Sequence, residues 1–157
     1  RHSFPTRRSS DLQDLIGRKT IKCGGAFIAE YIAEIRDFAN SLDTDLNFIK
    51  DATLDAATEI EAITQFIIEQ AAENVDFPNA AAVDYLSAVG LLSFAYMFAK
   101  IAAAAKDKSG DFYQNKLALA QYFVDRILPE LDSRLAKIKA GSDLIMNFSE
   151  DYFTNQA

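Results

Sequence analysis

The sequence predicts an all-α protein: an antiparallel four-helix bundle preceded by the end of one further helix. Three observations carry that expectation. In the stretch Asp111 to Met146 the apolar positions Tyr113, Leu117, Ala120, Val124, Ile127, Leu131, Leu135 and Ile138 recur by threes and fours, so they share one stripe of a helix, with Gln114, Lys116, Gln121, Asp125, Glu130, Arg134 and Lys137 opposite. Half of the residues are hydrophobic and a quarter charged, with only 3 Pro and 6 Gly, a composition that suits a packed helical domain and not a disordered chain. The links between periodic segments are short and polar. An amphipathic helix gains its stability by packing its stripe against other elements, so the remaining segments must supply partners for Asp111 to Met146.

At 157 residues the chain fits one domain able to bury roughly two thirds of its unfolded surface. The net charge of −7 argues against a nucleic-acid partner, because binding phosphates needs clustered Lys and Arg. One cysteine, Cys23, cannot form an intramolecular disulfide, which makes a reducing cytoplasm the default compartment. The single histidine is His2, so Ser-His-Asp triads, Cys-His pairs and Glu-x-x-His di-iron motifs have no histidine in the body of the chain. No zinc-ligand set, GxGxxG or GxxxxGK[ST] pattern is present.

Residues 1–12, RHSFPTRRSSDL, are basic against an acidic remainder and show neither a 3.6 nor a 2 period. They resemble a translated sequencing adapter, the alternative being a disordered natural arm. Native sequence is expected from about Gln13, and the first twelve residues are expected to add nothing to the fold. Residues 13–25 read as a helix end followed by a loop broken at Gly24-Gly25. Arg18 and Lys19 there are either charges suited to a helix C-terminus or phosphate ligands. Cys23, with no base beside it, reads as an inert small residue.

From Ala26 to Leu42 the residues Ile28, Ile32, Ile35, Ala39 and Leu42 form one face, and Asp43, Thr44 and Asp45 offer caps for the next helix. Leu46 to Asn74 continues with Leu46, Ile49, Ala56, Ile60, Ile63 and Ile67 inward. Its polar face carries Glu59, Glu61, Glu69 and Glu73, read as solvated because nothing in the pattern would split their pKa values. Asn79 is expected to cap the segment Ala80 to Lys106, which is apolar nearly all round. The uncharged run between Asp84 and Lys100 is 15 residues, short of the roughly 20 a bilayer core demands, so a central buried helix is expected and no membrane span. Tyr96 and Met97 are read as core. Asp111 and Gln114 suggest a capping box, Pro129 a bend that keeps the stripe in phase, and Gly141 a helix end or a weak point before a last turn at Leu144 to Met146. Residues 147–157 are read as a tail, which bounds the bundle at 26–146.

Three segments in order, DLIGRK with GG, AVDYLSAVGLLSFAYMFAKIA, and FYQNKLALAQYFVDRILPE with its later AG, resemble the last portion of long bacterial acyl-CoA dehydrogenases. These include the enzymes similar to 3-methylmercaptopropionyl-CoA dehydrogenase, which carry an acetyl-CoA dehydrogenase-like C-terminal helical domain. The resemblance implies a parent that dehydrogenates acyl-CoA thioesters between the α and β carbons, uses FAD and passes electrons to an electron-transfer flavoprotein. It assigns residues 13–25 to the end of the catalytic core. The family's catalytic glutamate lies in a Tyr-Glu-Gly-Thr motif upstream of Gln13, so no catalytic residue, cofactor ligand or metal ligand is expected here and the fragment is expected inactive. Arg18 is the one candidate substrate contact, toward the CoA part. The bundle would serve packing against the rest of the dehydrogenase chain and a second subunit. The competing reading is a free-standing helical interaction module without catalysis.

Overall fold

The computed structural model describes residues 14–143, with the side chains of Asp14, Leu15, Arg18 and Lys19 excepted. The adapter-like segment, Gln13, the last turn at Leu144 to Met146 and the tail 147–157 lie outside the described residues. A π-helix, Asp14–Ile21, leads through a turn into α1 (Ala26–Asn40), α2 (Asn47–Glu73), α3 (Phe77–Ala105), α4 (Asp111–Tyr122), a second π-helical turn Phe123–Ile127, and α5 (Glu130–Lys139). With α4 and α5 continuing each other, these make the expected four-helix bundle, and no strand occurs among the described residues.

The spacing read in the sequence becomes the core. Ile28, Ile32, Ile35 and Ala39 of α1 and Ile49, Ala56, Ile60, Ile63 and Ile67 of α2 are buried, because positions three and four apart return to one face of a 3.6-residue helix. The centre lies elsewhere than the sequence suggested. α2 and α3, and not the stretch from Asp111, are the helices that touch every other element. Along α3 the side chains of Tyr85, Ala88, Leu92, Ala95, Ala99 and Ala102 face inward, and the small residues among them let the neighbouring helices come close.

Several expected caps are replaced. A short 3-10 turn, Thr44–Leu46, stands between α1 and α2, so Asp43 does not cap α2; its carboxylate instead meets Lys106 Nζ at 2.6 Å. Asn79 falls inside α3, which starts two residues earlier with a proline in its first turn, where a missing N–H costs nothing. Asn74 organises that corner: its Oδ1 accepts from the Asp76 amide at 2.9 Å and its Nδ2 donates to Ser142 Oγ at 2.9 Å. At the next corner Gly110, at φ 109° and ψ 155°, takes the N-cap position, so Asp111 is the first helical residue and no capping box forms. That backbone conformation is open to glycine and strained for other residues.

At Pro129, where a bend that keeps the stripe in phase is expected, a turn instead separates the π-helical segment from α5 and the stripe does not keep its phase; the distortion begins a turn earlier. The Leu128 amide reaches back five residues to Phe123 O at 2.9 Å, since the proline supplies no amide for Asp125 O and its ring crowds that carbonyl. The wide turn rotates the stripe, so Phe123 and Leu128 are buried while Val124 and Ile127 are only half-buried. The buried face resumes at Leu131, Leu135 and Ile138, and Gly141 at φ +85° ends the helix.

Candidate functional site

The N-terminal π-helix is held to the bundle by a buried string of hydroxyls. Thr64 Oγ1 donates to Ile60 O at 2.6 Å and so is left to accept from the Tyr85 hydroxyl 2.8 Å away. Thr20, from the π-helix, is fully buried and also hydrogen-bonds Tyr85. Burial pushes the Tyr85 phenol above its ordinary 10.0, with the bonds to Thr64 and Thr20 pulling the other way. A neutral phenol at the meeting of three elements acts as a lock between them, and its high pKa removes it from acid or base work near neutral pH. The sequence reading missed this string, although a tyrosine and two threonines among core positions are the signal for it, since buried hydroxyls must find partners.

Arg18 stands in the same π-helix, and its side chain, like that of Lys19, lies outside the described residues. Cys23 is exposed. Glu59, Glu61, Glu69 and Glu73 are all exposed: Glu61 pairs with Arg36 at 2.8 Å and Glu69 accepts from Gln65 at 3.1 Å, so they form a hydrated face and no carboxylate pair. Among the described residues no group of three or more His, Cys, Asp or Glu could hold a metal ion. Tyr96 is core, its ring edge-on to Phe38 at 5.4 Å and its hydroxyl donating to Glu34 Oε1 at 2.7 Å. Met97, read as core alongside it, is instead exposed.

Met97 belongs to the largest departure from the sequence reading. α3 reads in the sequence as a central, heavily buried helix, yet Val83, Leu86, Phe94, Met97 and Ile101 are exposed along one side of it. By length and composition α3 is long and apolar enough to cross a membrane. Within this fold its other sides are occupied: Asp84 pairs with Arg134 of α5 at 3.0 Å and Ser93 accepts from Tyr31 of α1 at 3.0 Å. The exposed stripe runs beside a second one on α4, made by Phe112, Leu119 and Tyr122. Phe123 ties the two together, stacked on Phe98 at 4.6 Å and tilted against Phe94 at 6.5 Å; Phe112 and Leu119, eleven and four residues before it, lie on the same side of their helix. Ahead of the bundle Phe27 is exposed, Ile16 is buried and Ile21 half-buried, because the π-helix folds onto the bundle.

Residues 31–149 match the family described as acetyl-CoA dehydrogenase C-terminal like. The chain is also similar to the broad-specificity linear acyl-CoA dehydrogenase FadE5 of Mycobacterium tuberculosis, 27% identical over an alignment that covers 90% of this chain and 26% of that protein. The chain thus spans about a quarter of the length of the relative it matches.

Proposed function

This chain belongs to the acetyl-CoA dehydrogenase C-terminal-like family, and from that premise we propose that it is the C-terminal helical portion of an FAD-dependent acyl-CoA dehydrogenase acting on acyl-CoA thioesters at the α,β bond. The observation that carries the reading is the family match over residues 31–149, joined to a relative about four times longer that is an acyl-CoA dehydrogenase. Within the parent, the bundle packs against the catalytic core and contributes to contacts between subunits. The subgroup similar to 3-methylmercaptopropionyl-CoA dehydrogenase is the parent we favour, on the three ordered segments quoted above.

The flavin site and the base are assigned to the part of the parent outside this chain. What supports this is the lining of the clefts beside the N-terminal segment. One, of about 250 Å³, is lined by Gly25, Ile28, Ile32, Glu61 and Thr64 among others; another, of about 300 Å³, by Ile16, Ile21, Val75 and Pro78 among others. Their described linings are apolar, neutral polar or acidic and offer no cation to a pyrophosphate, so these residues do not fit FAD. Arg18 is kept as the candidate contact to the CoA part, an electron-transfer flavoprotein as the parent's redox partner, and the cytoplasm as its compartment.

Recovering the coding sequence upstream of Gln13 tests the reading. A Tyr-Glu-Gly-Thr motif in frame, followed by the DLIGRK segment, is the expected result. A start codon near Gln13 would overturn it and leave the free-standing interaction module. Purified as the 157-residue chain, the protein should be colourless and without acyl-CoA oxidation; a yellow protein with turnover would show that the assignment of the flavin site is wrong.

A further inference from the structure

The exposed apolar stripe of α3 has an internal order that its apolarity alone does not require. Gly90 sits at its midpoint, with Leu86 and Phe94 four residues to either side and Val83 and Met97 seven to either side. All four flanking side chains are exposed. A glycine in a helix interior costs about 1 kcal/mol relative to alanine, and nothing in the fold calls for it, since a Cβ added there would meet no atom within 4 Å. The glycine therefore makes an open notch, halfway along four large side chains from Val83 to Met97 whose spacing is the same in both directions.

We infer that this face pairs with a second copy of itself, α3 against α3 in antiparallel, about a two-fold axis passing beside Gly90. In that arrangement Leu86 faces Phe94 of the other copy, Val83 faces Met97, and the two glycine notches let the helix backbones approach. Small residues at a crossing point are what permit such close approach.

Two further features select a second copy over other occupants. An isologous contact sets a face against a copy of itself, so a face with a net charge would repel itself. α3 and α4 carry one acidic and one basic residue each, Asp84 with Lys100 and Asp111 with Lys116. α1 and α2 together carry nine acidic and two basic residues; the charge of the chain is concentrated on that other side. The area is also adequate. The exposed parts of Val83, Leu86, Phe94, Met97 and Ile101, extended by Phe112, Leu119 and Tyr122 on α4, amount to several hundred square ångströms, the order of the about 800 Å² that each partner contributes to a standard interface.

The inference rests on the subunit-contact role proposed above and gives that role a location. Sedimentation velocity on the 157-residue chain from 1 to 100 µM should show a discrete dimer. In a Cys23→Ser background, Gly90→Cys should cross-link that dimer through one disulfide on mild oxidation, whereas Glu59→Cys on the acidic face should not. Phe94→Glu should weaken the dimer at least tenfold while the helical circular-dichroism signal and thermal midpoint hold. Met97→Glu, at a residue without a ring contact to Phe123, is the second variant if Phe94→Glu loosens the fold. A monomer at 100 µM overturns the inference, as does sedimentation with anionic vesicles in place of self-association. A dimer that ignores both glutamates and cross-links through Glu59→Cys also overturns it, yet leaves the subunit-contact role standing. None of these outcomes bears on the dehydrogenase assignment, which the upstream sequence decides.

Discussion

The α1–α2 half and the α3–α4 half of this bundle bury comparable apolar stripes and end with opposite outer surfaces. On α2 the outward positions are Asp51, Asp55, Glu59, Glu61, Glu69 and Glu73, and the longest-range polar contact there is the Arg36–Glu61 pair holding α1 to α2. On α3 and α4 the exposed positions include Val83, Leu86, Phe94, Met97, Ile101, Phe112, Leu119 and Tyr122. Burying one stripe stabilises each half in the same way, at roughly 25 cal/mol per Å² removed from water. What differs is what the other side is kept for. A hydrated acidic face favours solubility, whereas an apolar face left open by the fold marks a place where another surface belongs.

The largest effect expected in either half comes from the shared core. Ile60→Ala, at a fully buried site, should destabilise the chain by about 2–5 kcal/mol, because the cavity adds to the lost transfer energy. Removing exposed Val83 as Val83→Ser should leave unfolding by urea nearly unchanged. Equal losses at the two positions would mean that the α3 face is packed after all, and the comparison would break.

Next in size is the lock between the N-terminal π-helix and the bundle. Tyr85→Phe removes the hydroxyl that joins Thr64 to Thr20 and should cost about 1–3 kcal/mol, since two buried hydrogen bonds are lost where water cannot replace them. Hydrogen exchange would show where the loss falls. Faster exchange confined to residues 20–25 and the adjoining turn of α1 is expected; loss of protection across α3 and α4 would make Tyr85 a general core residue.

Gly90→Ala sharpens the comparison in the opposite direction. With open space in front of the new methyl group, the monomer should gain roughly 0.5–1 kcal/mol from the better helix former. Dimerisation through the same face should weaken together with that gain. A destabilised monomer, measured under dilute conditions by urea titration, would show that the notch is already filled within one chain.

The smallest effect belongs to the polar corner where the halves meet. Lys106 hydrogen-bonds Asp43 and holds that carboxyl below its ordinary 3.8, while Asp43 and Asp107 raise the Lys106 ammonium above its ordinary 10.5. A lowered carboxyl gives stability that is present above pH 3.8 and lost as the pH falls through the folded value. A raised ammonium gives stability that is present below 10.5 and lost as the pH rises through its folded value. The contribution is therefore flat across neutral pH and fades at both extremes. Asp43 is exposed and Lys106 half-buried, so Asp43→Asn should shift the thermal midpoint only slightly, and 1 M salt should largely abolish the difference. A shift that persists in salt would place this corner in the load of the core.

The helices themselves were legible because each depends on local order. Spacing by threes and fours marked Ile28 to Ala39, Ile49 to Ile67 and Leu131 to Ile138 as inward faces, and all are buried. The corners were less legible. Asp43, Asn79 and Asp111 are all good capping types, yet a 3-10 turn, a proline and a glycine took those places, since a cap depends on the backbone angles at one residue and not on its type alone. The family resemblance was carried by three ordered segments, and the match over residues 31–149 bears it out at the level of the domain.

By itself the sequence determined that this chain is helical, where each helix lies and which charges face water, because those properties repeat along the chain with the period of the helix. It could not determine which part of α3 would be covered. A helix apolar on every side has no preferred orientation by pattern, and its direction is set by what packs on it: Tyr31 and Glu34 from α1, Thr64 from α2, Phe123 after α4 and Arg134 from α5. Those contacts join residues up to 62 positions apart, and only once they are made does the row from Val83 to Ile101 become the side left open.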